Sequence, residues 1–342
     1  MTAHFTTPTD SHRFCVAPMI DVTDRHCRYF LRLLSKKALL YTEMITTGAL
    51  LRGDTERFLR HDPREHPLAL QLGGSNPEDL ATCSKMAEDA GYVEVNLNVG
   101  CPSDRVQNNK IGACLMAEPD LVADCIAAMS AATSIRVTVK CRTGIDDMDS
   151  YEELAAFIDK IASRSGCATF IVHARIALLQ GLSPKENREI PPLNYPRVYQ
   201  IKKEFPQLGI VINGGIKTLD ECKNHLGHVD GVMLGREAYQ NPFLLHEVDK
   251  ELFGLPPANF TRVQILEQLF PYLEAQLDEG VALHHMTRHI LGLFHGQSGG
   301  KRFRRYISEN IYKPDVSLRI LHDALAHMTD HQSDNQELIS TC

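Results

Sequence analysis

Hydrophobic and polar positions follow two regimes along this chain. Over roughly the first 240 residues, short apolar or β-branched runs at 14–17, 38–43, 68–72, 93–98, 136–142, 169–173, 210–213 and 232–234 read as strands. Many are nearly continuous in apolar residues, as strands buried on both faces are. Between most of them the spacing turns helical, at 24–35, 77–90, 119–131, 151–165 and 195–205. Asn76-Pro77 and Ser150 with Glu153 are N-terminal helix signatures.

Eight strands alternating with helices is the count of an α/β fold of the (β/α)8 TIM-barrel type. A doubly wound sheet is the rival, but it calls for a phosphate-binding glycine turn after the first strand. Val16-Ala17-Pro18-Met19-Ile20 has no glycine, so the barrel is preferred. Beyond about residue 248 only helical periodicity remains. Val263, Ile265, Leu266, Leu269, Phe270, Leu273 and Leu277 mark one helical stretch over 261–292, and 316–328 reads as another. The expected division is an N-terminal extension at 1–12, a barrel at 13–247, a small all-helical domain at 248–328 and a polar, frayed tail from Thr329.

Composition narrows the classes. Of 342 residues, 43% are hydrophobic and 23% charged, which excludes general disorder. Lys plus Arg total 36 against 43 Asp plus Glu, a net charge of −7 that argues against a uniformly basic nucleic-acid binder. No apolar run is long enough for a membrane helix, and the first residues lack the pattern of a signal peptide, so a cytoplasmic protein is expected. The ten cysteines are irregularly spaced without a C-x-x-C pair, which favours reduced thiols over disulfides or structural zinc.

In a barrel of this kind the chemistry gathers where strands exit at their C-terminal ends. Here those exits carry Pro18, Met19, Gln71, Asn98, Cys101, Lys140, His173, Asn213, Gly214, Gly215, Gly235 and Arg236, a polar ring suited to a flat polar ligand. The glycines after the seventh and eighth strands match the usual phosphate position of the fold, with Arg236 adding charge, although glycines also simply permit tight turns. Lys140 is open between a Schiff-base nucleophile, a cation beside an electron-rich ring and a snorkelling strand end. His173 is either a site residue or a satisfied core histidine. Cys101 lies between Gly100 and Pro102 in a loop with Ser103, Asp104 and Arg105, where a thiol serves as acid or nucleophile. The cysteines within strands and helices, such as Cys15, Cys27, Cys83, Cys125 and Cys222, read as packing.

Asn96-Leu97-Asn98-Val99-Gly100-Cys101-Pro102-Ser103, with Pro18-Met19, the Lys140 strand end, Val172-His173-Ala174-Arg175, Asn213-Gly214-Gly215 and Gly235-Arg236, resembles the tRNA-dihydrouridine synthases. The segments running from Gly181 to Leu193, Asp24 to Phe30 and Arg236 to Pro242 look like the A-type subfamily, and the resemblance covers residues 13 to about 325. It implies FMN at the barrel mouth, reduced by NADPH, and reduction of uridine to dihydrouridine in the D-loop of tRNA, at U20 and U20a. It implies Pro18, Met19, Ile20 and Gln71 along the flavin ring, Lys140 and His173 in contact with it, and Asn213, Gly214, Gly215, Gly235 and Arg236 at its phosphate. Hydride would pass from flavin N5 to uracil C6 and a proton from Cys101, on a mobile loop, to C5. Asn98 is placed to bind the uracil edge, and the target base has to be extruded from the RNA fold.

The average charge hides an asymmetry. Between His284 and Lys313, the cations Arg288, Lys301, Arg302, Arg304, Arg305 and Lys313 face one acid, Glu309, with His284, His285, His289 and His295 among them. Phe303 and Tyr306 are interleaved as candidate stacking surfaces. A charge run is commonly only a solvated face, but the resemblance pairs Lys185 and Arg188, after the sixth strand, with Arg302 and Arg305 as tRNA contacts. His285 and His289 have metal-ligand spacing without a third ligand, so no metal is expected. The expected molecule is a monomer. Rival readings are another FMN barrel oxidoreductase acting on a free pyrimidine, a Schiff-base aldolase and a tRNA-binding protein without catalysis.

Overall fold

Strands β1 (Phe14–Val16), β2 (Leu39–Thr46), β3 (Leu68–Gly73), β4 (Glu94–Val99), β5 (Arg136–Arg142), β6 (Thr169–His173), β7 (Gly209–Asn213) and β8 (Gly231–Leu234) pair in chain order. All pairs are parallel and β8 returns to β1, closing the barrel expected from the strand count. The architecture comes from a computed structural model of the chain, and it describes residues 10–103, 110–313, 316–326 and 328. The tail from Thr329 lies outside the described residues.

Helices α1 (Arg25–Leu34), α2 (Thr47–Arg52), α3 (Thr55–Leu59), α4 (Pro77–Asp89), α5 (Pro119–Ala132), α6 (Tyr151–Ser165), α7 (Tyr195–Glu204) and α8 (Leu219–Leu226) connect the strands. Their starts follow the capping signals. Asn76 Oδ1 accepts from Asp79 N at 2.9 Å, and Ser150 and Glu153 form a reciprocal box at α6, as Thr218 and Glu221 do at α8. Each cap pairs helix N–H groups that the geometry otherwise leaves open.

One wall of the barrel departs from the apolar-run pattern. β4 reads Glu-Val-Asn-Leu-Asn-Val and β5 Arg-Val-Thr-Val-Lys-Cys-Arg, a strict alternation. Glu94, Asn96 and Asn98 therefore share one face, in register with Arg136, Thr138 and Lys140. That face is polar yet buried, with Glu94 and Asn96 fully enclosed. Around it the interior is apolar, packed from Cys15, Leu39, Ala69, Ile171, Val211 and Met233 together with Tyr41.

By its packing the chain forms two units. Of the described residues, one holds those up to Arg25 and those within Lys37–Gly235; the other holds His26–Lys36 and those from Arg236 onward. The helical region expected from residue 248 is thus preceded by α9 (Arg236–Gln240) and α10 (Leu245–Phe253) and joined by α1. Within this second unit Tyr29 of α1 stacks on Tyr272 with ring centroids 3.8 Å apart, and Ser35 Oγ donates to Asp249. The single stretch expected over 261–292 is two helices, α11 (Arg262–Asp278) and α12 (Leu283–Thr287). Gly280, at φ +85°, ends the first, because the left-handed region breaks the helical ladder. A further helix, α13 (Gly300–Asn310), carries the basic run, and residues 319–326 are helical. Among the described residues no helix is long and apolar enough to cross a membrane.

Candidate active site

Cys101 follows β4 directly, and its backbone is held from both sides. Asn98 Oδ1 accepts from the amides of Gly100 (3.1 Å) and Cys101 (3.0 Å). Arg142 Nε donates to the Gly100 carbonyl (3.1 Å), and Ala113 N to the Cys101 carbonyl (2.9 Å). Four backbone groups at the residues that present the thiol thus have hydrogen-bond partners, while 104–109 of the loop expected to be mobile lie outside the described residues. The thiol itself is half-buried. Asp104 and Arg105 lie outside the described residues. Asn98, expected at a uracil edge, is largely buried and uses its oxygen to hold this loop.

Lys140 and His173 also sit at strand exits, and both are half-buried. Lys140 Nζ donates to Asn213 Oδ1 at 3.1 Å, and Asn213 Nδ2 donates to the Met233 carbonyl at 2.7 Å. Burial, reinforced by the nearby Arg142 charge, lowers the Lys140 pKa to about 8. The same two causes, burial first and then the cations Arg142, Lys140, Arg175 and Arg188, hold His173 well below the ordinary histidine value. His173 is thus a neutral ring at physiological pH. Sequence reasoning missed Arg142. It is 3% exposed, donates to the carbonyls of Gly100, Ile176 and Asn187, and is pushed by burial down to about 10. Its only signal was a cation at the end of an alternating strand. Among the described residues no carboxylate pairs with Lys140 or Arg142.

After β7 the backbone turns through Gly214 and Gly215 at φ +119° and +73°. A Cβ on Gly214 would lie 2.6 Å from His173 Cδ2, and one on Gly215 would lie 2.5 Å from Leu193 Cδ1. Both positions therefore demand glycine twice, by conformation and by space. Tyr195 OH donates to the Gly214 carbonyl at 2.7 Å. Gly235 is different: an added Cβ would rest at 3.6 Å from Ala17 and Met19, ordinary contact. Met19 is itself fixed, its N–H donating to Thr23 Oγ1 at 3.0 Å, with Pro18 half-buried beside it and Ile20 52% exposed. Gln71 is fully enclosed, its amide between Asn96 and Asn98. Arg236 opens α9 and is exposed.

Lys185 and Arg188 are exposed on a short 3-10 turn after β6. Buried Asn187 between them staples that loop, bonding the Leu178 amide and carbonyl and the Leu182 carbonyl. On α13, Arg302 and Arg305 are exposed while Phe303 and Ile307 are buried. Phe303 is therefore not a stacking surface: it is fully enclosed against Phe294, centroids 4.7 Å apart, because it lies on the apolar face of the helix. Tyr306 is half-buried, with its hydroxyl 3.4 Å from Asp323. Arg305 is ion-paired with Glu309 at 2.6 Å. His289 is likewise buried, so it does not join His285 on an open face.

A closed parallel barrel with a thiol, a lysine and a glycine turn at its strand exits defines a TIM-barrel enzyme. The dihydrouridine synthase family model matches residues 15–329 of this chain. The chain is 60% identical over 318 residues to a Vibrio cholerae protein, covering 93% of this chain and 97% of that one. It is 62% identical over 324 residues to a Pseudomonas putida protein (95% and 96%) and 56% identical over 329 residues to one from Escherichia coli (94% and 99%). All three are named tRNA-dihydrouridine(20/20a) synthase. The chain belongs to the dihydrouridine synthase family and is an oxidoreductase.

Proposed function

We propose that this enzyme reduces the C5–C6 double bond of uridine to 5,6-dihydrouridine in the D-loop of tRNA, at U20 and U20a, with FMN as bound cofactor and NADPH as reductant. The observation that carries the cofactor reading is the pair at the barrel mouth, half-buried Lys140 and buried Arg142, which among the described residues have no carboxylate partner. Such charge calls for an anionic, hydrogen-bonding ligand. The glycine turn at Gly214 and Gly215 suits the phosphate of FMN, with Asn213, Gly235 and Arg236 as its further partners. Pro18, Met19, Ile20 and Gln71 are assigned to its ring, with Lys140 and His173 against it. The names of the relatives support the two uridines.

When bound there, FMN would supply hydride chemistry toward uracil C6. Negative charge then develops toward C5 and O4, and Cys101 Sγ donates the proton that C5 needs. The pinned Gly100–Cys101 backbone holds that thiol in place for an incoming base. Lys140 stabilises anionic charge on the bound group. His173, kept neutral, contributes hydrogen bonding without adding a further cation. Its lowered pKa would also suit Lys140 to Schiff-base chemistry, but membership of an oxidoreductase family removes the aldolase reading. Lys185 and Arg188 on their stapled loop, and Arg302 and Arg305 on α13, are assigned to tRNA phosphates. The reacting base reaches the barrel mouth by extrusion from the RNA.

Anaerobic stopped-flow tests the reading. NADPH should bleach a yellow protein, and unmodified tRNA, but not free uridine, should restore the colour with formation of dihydrouridine. A purified protein that takes up no FMN, or a reduced one that ignores tRNA, contradicts it.

A further inference from the structure

A row of buried side chains runs the length of β4 and ends at the Cys101 loop. Asn98 Nδ2 donates to Gln71 Oε1 (2.9 Å), and Gln71 Nε2 donates to Asn96 Oδ1 (2.8 Å). Asn96 Nδ2 donates to Thr138 Oγ1 (2.9 Å), and the Thr138 hydroxyl donates to Glu94 Oε1 (2.7 Å). Register puts these groups opposite one another, Gln71 with Asn96 and Asn96 with Thr138. Glu94 is fully enclosed, and it is anchored by Tyr41 OH, by His12 Nε2 at 2.7 Å and by Arg136 at 3.6 Å.

The direction of this row is not arbitrary. An ionised carboxylate only accepts, so Thr138 donates to it and offers its oxygen to Asn96. That sets the Asn96 amide, which sets Gln71, which sets Asn98. Asn98 is left with its oxygen toward the Gly100 and Cys101 amides. Reversing the row would put an NH2 group against two N–H donors. Burial opposes the charge on Glu94, but His12 and the hydrogen bonds from Tyr41 and Thr138 outweigh it and hold the carboxyl below its ordinary range. In an otherwise apolar interior, a polar row is stable only when every member is satisfied in one consistent sense.

We propose that Asn96 and Thr138, with Glu94 as terminal acceptor, are positioning residues for the proton-donation step: they fix the orientation of the Asn98 amide and thereby the place of the Cys101 thiol. The proposal rests on Cys101 being the donor. Thr138→Val removes the link while keeping the shape, and Thr138→Ser restores the hydroxyl. Amide hydrogen exchange of the peptide spanning Gly100 and Cys101 reads the chain directly, without turnover. It should be slow in the unmodified protein, faster in Thr138→Val and slow again in Thr138→Ser. Uridine reduction at saturating tRNA should fall about 10- to 100-fold in Thr138→Val and recover in Thr138→Ser. Unprotected Gly100 and Cys101 amides in the unmodified protein overturn the proposal whether or not the variants fold. So do a Thr138→Val protein that keeps protection and turnover, and a Thr138→Ser protein impaired as badly as Thr138→Val. An active Cys101→Ala protein would instead sink the donor assignment, and the exchange data would still decide the chain.

Discussion

Lys140 shows how burial and a neighbouring cation prepare a residue for a ligand. Its pKa of about 8 means that the fold holds the ammonium against a desolvation cost. Between about pH 8 and the ordinary lysine range the unfolded chain binds more protons at this residue. Its contribution to stability therefore rises with pH across that window and is least favourable below it. An anion bound beside Lys140 favours the charged form, so binding takes up a proton near pH 8. FMN affinity, followed by quenching of flavin fluorescence, should weaken as pH rises past about 8, and Lys140→Met should weaken binding and remove that dependence. A dissociation constant flat from pH 7 to 9.5, or a slope that survives in Lys140→Met, would detach Lys140 from the cofactor.

The strands and turns set what was legible beforehand. Eight strands, their order and the exits carrying Cys101, Lys140, His173 and Asn213 were readable, because a barrel fixes which end of each strand is used. The polar partners inside were not drawn out, although β4 and β5 print a strict alternation that marks Glu94, Asn96, Thr138 and Arg142 as inward. Which of them pair depends on register, and register is a property of two strands. Phe303 misled for a related reason: a basic run shows charge, not which helix face is covered. At the turn after β7, spacing gave the glycines and the structure gave the demand for them. Gly214→Ala, with its Cβ 2.6 Å from His173 in a left-handed conformation, should cost about 1–3 kcal/mol by thermal unfolding and lower FMN occupancy in the flavin absorbance. Gly235→Ala, with room for a methyl group, should leave stability near wild type. Equal losses in the two variants would contradict this distinction.

At the scale of the molecule, the net charge of −7 is a poor guide, since the cations assigned to RNA stand in two confined groups: Lys185 and Arg188 in the barrel unit, and the run on and around α13 in the helical unit. An exposed ion pair such as Arg305–Glu309 adds little to stability, but Glu309 competes with phosphate for the guanidinium. Arg305→Ala should weaken tRNA binding and reduce the salt slope by about one, whereas Glu309→Gln should tighten binding at low salt, both read from dissociation constants across salt concentrations. No change in slope for Arg305→Ala would place the RNA elsewhere. The central claim is flavin-driven reduction of tRNA uridine with Cys101 as acid. Mass spectrometry of unmodified tRNA incubated with the FMN-loaded enzyme and NADPH tests it most directly. Dihydrouridine should form at U20 and U20a with the wild-type protein and fall by about 100-fold or more with Cys101→Ala, whose flavin is still reduced by NADPH. Dihydrouridine absent from both positions, or formed equally by Cys101→Ala, would contradict the account.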